Sequence, residues 1–323
     1  MQKLSKLLLL LCANVGLAVT APAYAAWPER PVRVVVPFAP GAFTDVAARS
    51  FGAELSTALG QQFVVDNRTG AGGTIGTDIV AKAGADGYTL LVSDNALSIT
   101  PALYAKLPYD AMRDLAYITK LAESPSILTA ALKLPVKTVK DVIDLARAQP
   151  GELTFGSGGQ GSAAHLAMEL LLNIAKVRLT HVPFKGVALS LAAVAGGQLD
   201  LSFGSLAAGQ PHVTAGRLQG IALSGNTRSN VLPNVPTFAE AGYPTYGFIH
   251  WWSMAAPAGT PRAVIDRLQK ELAVAAESAR LKTAFQAQGA RPTITNPATM
   301  TKMIDTEIAQ WRDIIRGAGI KVE

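Results

Sequence analysis

The places where this chain could do chemistry are short loops that follow uncharged, strand-like runs. The first is Pro37-Phe38-Ala39-Pro40-Gly41-Ala42-Phe43-Thr44-Asp45, entered from Val34-Val35-Val36. Three β-branched residues without charge suit a strand buried on both faces. Pro37, Pro40 and Gly41 break any regular element, and Thr44 and Asp45 are good helix N-cap residues. Ala47, Phe51, Leu55, Ala58 and Leu59 then recur at helical spacing, with Gly60 as the stop. A loop between a buried strand and a helix N-terminus presents unpaired N–H groups and the positive end of a dipole. That is chemistry for holding an anion.

The device recurs along the chain. Ser93-Asp94-Asn95-Ala96-Leu97-Ser98, Gly156-Ser157-Gly158-Gly159-Gln160-Gly161, Phe184-Lys185-Gly186 and Phe203-Gly204-Ser205 each follow a strand-like run. The hydroxyls of Ser157 and Ser162, with the N–H groups beside them, can hold a carboxylate, and Lys185 either counters an anion or is solvated. Open α/β sheets bind ligands at the carboxyl ends of their strands, where all these loops fall. The glycine loop Gly70-Ala71-Gly72-Gly73-Thr74-Ile75-Gly76 reads either as close backbone approach to a ligand or as a tight turn.

Other chemistries lack their parts. The 156–161 loop satisfies G-x-G-x-x-G, but the dinucleotide fingerprint also needs an acid at the next strand end, and Leu179-Thr180-His181-Val182 has none. No two of His165, His181, His212 and His250 have metal-ligand spacing, so no metal is expected and each reads as a structural histidine. There is no G-x-S-x-G elbow. No cofactor and no catalytic role are expected. Trp251 and Trp252 are adjacent, so in a strand one faces the core and the other is free to floor a pocket.

Elements that alternate β and α must position these loops. Strands are expected near 32–36, 62–65, 89–93, 153–155, 179–182, 199–203, 220–223 and 253–255. Helices are expected near 45–59, 74–83, 139–148, 163–174, 188–195, 261–277, 279–288 and 297–317. The fold class is α/β, with sheets covered by helices. Crossings near 121–125 and within 234–246 would make the segment between them an inserted domain, and two such crossings acting as a hinge place a ligand cleft between the domains.

Lys3 and Lys6, the apolar run from Leu7 and the small-x-small site Ala23-Tyr24-Ala25 read as a cleavable signal peptide over 1–25. Cys12 is the only cysteine, so the mature chain has neither disulfide nor thiolate, which fits a periplasmic protein. The net charge of +6 comes from 29 basic and 23 acidic residues; without Lys3 and Lys6 it is 27 − 23 = +4. No basic run of the kind that binds nucleic acid is present, and a small anion suits this balance better than a polyanion.

Taken in order, these pieces resemble the periplasmic receptors of tripartite tricarboxylate transporters, the Bug family. The pieces are Trp27-Pro28-Glu29-Arg30-Pro31, Val36-Pro37-Phe38-Ala39-Pro40-Gly41 with Thr44-Asp45, Asn67-Arg68 with the 70–76 loop, and Asp86-Gly87-Tyr88-Thr89-Leu90. Further along come Leu103-Tyr104 with Leu107-Pro108-Tyr109-Asp110, the 156–165 loop, His181-Val182-Pro183-Phe184-Lys185-Gly186, Pro211-His212 with Ala215-Gly216, Pro233-Asn234-Val235-Pro236-Thr237 and Ala256-Pro257-Ala258-Gly259-Thr260-Pro261.

The resemblance implies a two-domain, periplasmic-binding-protein-like fold, with 26–124 and 247–323 forming one domain and 125–246 inserted as the other. It implies a carboxylate held, partly through ordered water, by Phe38, Ala39, Gly41, Thr44 and Asp45. The loop of the second domain maps to Ser157, Gly158, Gly159, Ser162 and His165. Side specificity maps to 93–98, with Ser93 and Asn95, to Lys185 and Gly186, and to Gly204 and Ser205. Phe43 departs from the family pattern and adds an apolar wall. Gly204 and Ser205 stand where many members carry an acid, so an acid without an amino group is expected, a dicarboxylate or aromatic acid above all. The implied role is capture of that ligand by a monomer for inner-membrane transporter subunits, or else for a sensor kinase.

Overall fold

A computed structural model describes residues 27–184 and 186–320. The expected leader at 1–25 and the site candidate Lys185 lie outside the described residues.

The chain runs β1 (Val32–Val36), α1 (Phe43–Leu59), β2 (Phe63–Asn67), α2 (Thr74–Ala81), β3 (Thr89–Asp94), α3 (Ala96–Leu103) and β4 (Leu115–Ser124). It continues through β5 (Ser126–Ala130), α4 (Val139–Ala148), β6 (Thr154–Ser157), α5 (Ala163–Ala175), β7 (Thr180–Pro183), α6 (Val187–Ala195), β8 (Leu201–Ser205), α7 (Leu206–Thr214) and β9 (Gln219–Leu223). It ends with β10 (His250–Pro257), α8 (Arg262–Ala276), α9 (Ala279–Gln286), β11 (Arg291–Pro292) and α10 (Pro297–Ala318). Among the described residues no helix is long and apolar enough to cross a membrane.

Two mixed sheets result. One has the order β11-β4-β10-β3-β1-β2, the other β7-β6-β8-β5-β9. The chain leaves the first sheet at Ser124, enters the second at Ser126, and returns to the first between β9 and β10. The chain thus builds two domains, with one sheet in each.

The uncharged β1 is buried on both faces, as its composition requires. Val34 and Val36 pack with Phe51 and Leu55 of α1, while Val35 packs with Val80, Leu91 and Met300 on the other face. The second sheet buries Phe155, Leu201 and Phe203 against Leu166 and Leu170 of α5. Helix α10 contributes to both cores: Met300, Ile304 and Ile308 belong to the first, Trp311, Ile314 and Ile315 to the second. Its apolar stripe at helical spacing therefore bridges the two domains, so the end of the chain packs with the inserted segment and not only with the domain its position in sequence suggests.

Several elements depart from the sequence expectation. The first helix begins at Phe43, with Ala42 as N-cap; Asp45 sits inside it and reaches back to the Gly41 N–H. Strands β4 and β5 are absent from that expectation, because Lys120 and Glu123 interrupt the apolar pattern of β4. Both are buried there, satisfied by a 3.0 Å ion pair and by Arg291 on Glu123. Helices α3 and α7 contain Pro101 and Pro211, which would ordinarily argue for a break.

Candidate ligand site

The loops singled out in the sequence meet in a cleft between the two sheets. It has two lobes of about 380 and 200 Å³, which share Phe38, Asp94, Ser205 and His250. The larger lobe is closed by Ile99, Thr100 and Leu103 on one side and by Gly158, Gly159 and Ser162 on the other. The smaller is walled by Phe43 and Trp252, whose rings lie 4.2 Å apart.

Helix N-termini converge on the site. Helices α1, α3, α5, α6 and α7 all begin at this cleft, through Phe43 and Thr44, Ala96, Ala163 and Ala164, Val187, and Ala207. The first N–H groups of a helix have no intrahelical acceptor, and each terminus carries about half a positive charge. The α1 terminus has no side-chain cap. Neither lobe is lined by Lys or Arg among the described residues, so backbone dipoles are what that lining offers an anion. Such a site binds a small anion without a counter-ion.

The β1–α1 loop is fastened from behind. Asp45 accepts hydrogen bonds from the Gly41 N–H (3.1 Å), Arg49 (3.0 Å) and Asn67 Nδ2 (2.9 Å), while Asn67 also donates to the Phe38 carbonyl (3.0 Å). Burial pushes the Asp45 carboxyl up, but Arg49, Gly41 and Asn67 outweigh it and its pKa is lowered. Asp45 therefore shapes the loop and does not face the cleft. Thr44 does face it, its hydroxyl accepting from Trp252 Nε1 at 3.1 Å. Ala39 and Gly41 are exposed in the turn and line neither lobe.

Replacing Asp45 by Ala should cost about 2 kcal/mol of stability, since the Gly41, Asn67 and Arg49 donors lose their acceptor. It should weaken ligand binding about tenfold, because the loop that presents the helix terminus becomes less ordered. Denaturation and calorimetry on the variant check both; unchanged melting together with unchanged affinity would separate Asp45 from the site.

The second anion loop is held in the same manner. Ser157 Oγ accepts from the Gly159 N–H (3.1 Å), and His165 Nδ1 accepts from the Gly161 N–H (3.0 Å). Ser162 caps α5 by accepting from the His165 N–H at 3.3 Å. The rings of His165 and His181 stack 3.7 Å apart, and burial followed by the His165 neighbour lowers His181 to a pKa of about 4. Ser157 Oγ lies 2.7 Å from His181 Nε2, the spacing of a nucleophile and its base. Ser157 is completely buried, however, and lines neither lobe, so this pair is a support for the loop.

The remaining candidates divide in the same way. Gly204 and Ser205 line the cleft, and a Cβ at Gly204 would come within 2.4 Å of Val187, which explains the glycine. Gly186 is the N-cap of α6, at φ 115°. Ser93 is fully buried opposite Ser253, and Asn95 is tied to Ile249 O (3.2 Å) and the Trp251 N–H (3.0 Å), so both lie behind the cleft wall. Of the glycines in the 70–76 loop, Gly72 reaches the larger lobe, while a Cβ at Gly76 would strike Pro37 and the Arg68 carbonyl at 2.8 Å. Trp251 is core and Trp252 walls the smaller lobe.

Of the residues at the centre of the cleft, Asp94 falls in the 93–98 stretch assigned to side specificity, whereas His250 reads from the sequence only as a structural histidine. Asp94 and His250 line both lobes. The cleft is thus not free of acids: Gly204 and Ser205 carry none, but Asp94 offers one to the same space. Asp94 had a usable signal, as the residue ending a buried strand. His250 did not: it enters the cleft because β10 runs antiparallel to β3, with Trp252 opposite Asp94.

A larger cavity of about 540 Å³ lies beside the interdomain crossings, where its cations Arg291, Arg228 and Lys282 are already paired with Glu123, Glu240 and Glu277. It gathers no helix N-termini, so the cleft is the better anion site despite its smaller volume.

Residues 47–320 match the tripartite tricarboxylate transporter family receptor. Protein BugT of Bordetella pertussis strain Tohama I is 36% identical over 313 residues, covering 96% of this chain and 95% of BugT. Among solved structures, R. palustris Rpa4515 with adipate aligns with a TM-score of 0.80 at 36% identity, over 91% of this chain and 99% of that one. MatC from Rhodopseudomonas palustris with bound malate aligns with a TM-score of 0.77 at 31% identity, over 90% and 100% of the two chains.

Proposed function

The chain belongs to the tripartite tricarboxylate transporter receptor family, whose members are binding receptors and not enzymes, and we propose that it captures a small carboxylate in the periplasm for a membrane transporter of that type. The observation that carries this reading is the convergence of five helix N-termini on one cleft with no lysine or arginine among its described lining residues. The adipate and malate held by Rpa4515 and MatC support a carboxylate here as well.

In this reading one ligand carboxylate lies in the larger lobe at the α5 terminus, close to Ser162 and Ala164, and the other end of the ligand reaches past the lobe junction towards Thr44 at the α1 terminus. The Gly158–Gly159 backbone, Gly204 and Ser205 enclose the ligand from the second domain, with Gly186 at the N-terminus of α6. The domain of 26–124 and 247–323 and the inserted domain of 125–246 move relative to one another, with α10 packed into both cores, and the ligand is trapped as they close. The leader at 1–25 sends the chain to the periplasm, where it works as a monomer.

A thermal-shift screen of mono- and dicarboxylates on the mature protein tests this. A true ligand at 100 times its dissociation constant stabilises by about 2.7 kcal/mol. If amines or sugars raise the melting temperature and no carboxylate does, the reading is wrong.

A further inference from the structure

Asp94 and His250 occupy the junction of the two lobes, and the anion-binding role of the helix termini does not use them. Asp94 ends β3, and its Oδ1 accepts from the Ala96 N–H, the first of α3, at 2.9 Å. Its Oδ2 lies 3.6 Å from His250 Nε2. That nitrogen is shielded from solvent and makes no hydrogen bond among the described residues, because 3.6 Å is too long for one. The His250 ring is fixed by stacking on Trp252, at 4.6 Å and 10° between planes.

Asp94 is the only carboxylate lining either lobe among the described residues. An ionised Asp94 repels a second carboxylate brought to the junction and accepts from a donor placed there. A site whose polar groups are built to pair with a donor rejects the analogue that lacks it, because its own groups are then buried unpaired.

We propose that the Asp94–His250 pair determines specificity: it selects carboxylates that carry a hydrogen-bond donor, a hydroxyl or an amino group, at the lobe junction over unsubstituted acids of the same length. Asp94 accepts from the ligand's donor. His250 is a positioning residue: its stacked ring stands 3.6 Å behind Oδ2 without bonding it, which leaves that oxygen for the ligand. The inference rests on the carboxylate reading of the cleft and adds to it the substituent that the ligand bears.

Calorimetry with two matched series tests it: succinate, malate and aspartate, then adipate, 2-hydroxyadipate and 2-aminoadipate. The native protein should bind a hydroxy or amino acid at least tenfold more tightly than the plain acid of the same series, and the preferred arm tells hydroxyl from ammonium. Asp94→Asn keeps an acceptor for the Ala96 N–H but loses the charge. It should reduce the preference to less than threefold and strengthen binding of the plain acid. His250→Phe keeps the stack on Trp252, should narrow the preference as well, and serves if Asp94→Asn does not fold. Equal affinity for plain and substituted acids in the native protein, or a preference unchanged in the variants, overturns the selection and leaves the carboxylate receptor standing. Binding of no acid from either series overturns both.

Discussion

Replacing Glu307 by Ala should lower the stability of the protein by about 3 kcal/mol, more than the loss expected at Asp45. Glu307 lies on α10, and its enclosed carboxylate accepts from Ser98 Oγ at 2.6 Å and from Trp251 Nε1 at 2.9 Å. It therefore ties α10 to α3 and β10, the two elements that carry Ala96 and His250 to the cleft. Truncation leaves the buried Trp251 N–H and the Ser98 hydroxyl without this acceptor and opens a cavity beside a fully buried tryptophan. Burial pushes the Glu307 carboxyl up, with Ser98 and Trp251 offsetting only part of the rise. For an acid whose folded pKa is raised, the stability it contributes is complete below the ordinary value of 4.5 and is lost as pH rises through the folded pKa. Glu307→Gln keeps an acceptor and removes the ionisation, so its stability relative to the native protein should improve from pH 4.5 to pH 8. Denaturation curves for both variants at the two pH values check this. A Glu307→Ala loss below 1 kcal/mol, or a Gln variant that falls behind as pH rises, would contradict the assigned role.

The second large effect is on binding, with the fold left intact. Ala164 is the second residue of α5 and lines the larger lobe. An aspartate there sits well for the helix, since a carboxylate in the first turn is worth about 0.3–1 kcal/mol. It also places a fixed negative charge where the ligand carboxylate is held. Two like charges about 4 Å apart at an effective dielectric of about 20 repel by roughly 4 kcal/mol, or about a thousandfold in affinity. Ala164→Asp should therefore melt at or above the native temperature and bind its ligand at least a hundredfold more weakly. Ala164→Ser, which adds a hydroxyl without charge, should bind within about tenfold of the native protein. Equal losses in both variants would mean that size, and not charge, closes the site.

The parts of this molecule legible in the sequence are those set by local rules. The β-branched run at β1, the breaker at Pro40-Gly41 and the helical spacing behind it locate the first anion loop; only the helix start is displaced, because Asp45 caps from inside. Gly158, Gly159 and Ser162 are likewise legible from their place between a strand and a helix. What stays hidden depends on long-range pairing. The Lys120–Glu123 ion pair hides β4 because its charges read as exposed until Arg291 and the neighbouring strands are in place. His250 joins Asp94 only through the antiparallel register of β10 on β3. The split stripe of α10 looks like an ordinary amphipathic helix until two different cores are seen to share it. Ser157, Asp45 and His165 fall in the right loops, but the sequence has no signal for which side of a loop a side chain supports.

The most direct test of the cleft as the carboxylate site is a crystal structure grown with the tightest acid from the calorimetric series. The expected result is a carboxylate at the α5 terminus, its oxygens within about 3 Å of N–H groups at Ala163 or Ala164, directly or through one water, with the rest of the acid running past Asp94 towards Thr44. A ligand bound in the cavity beside Arg228 and Arg291, with the cleft holding only solvent, would contradict it.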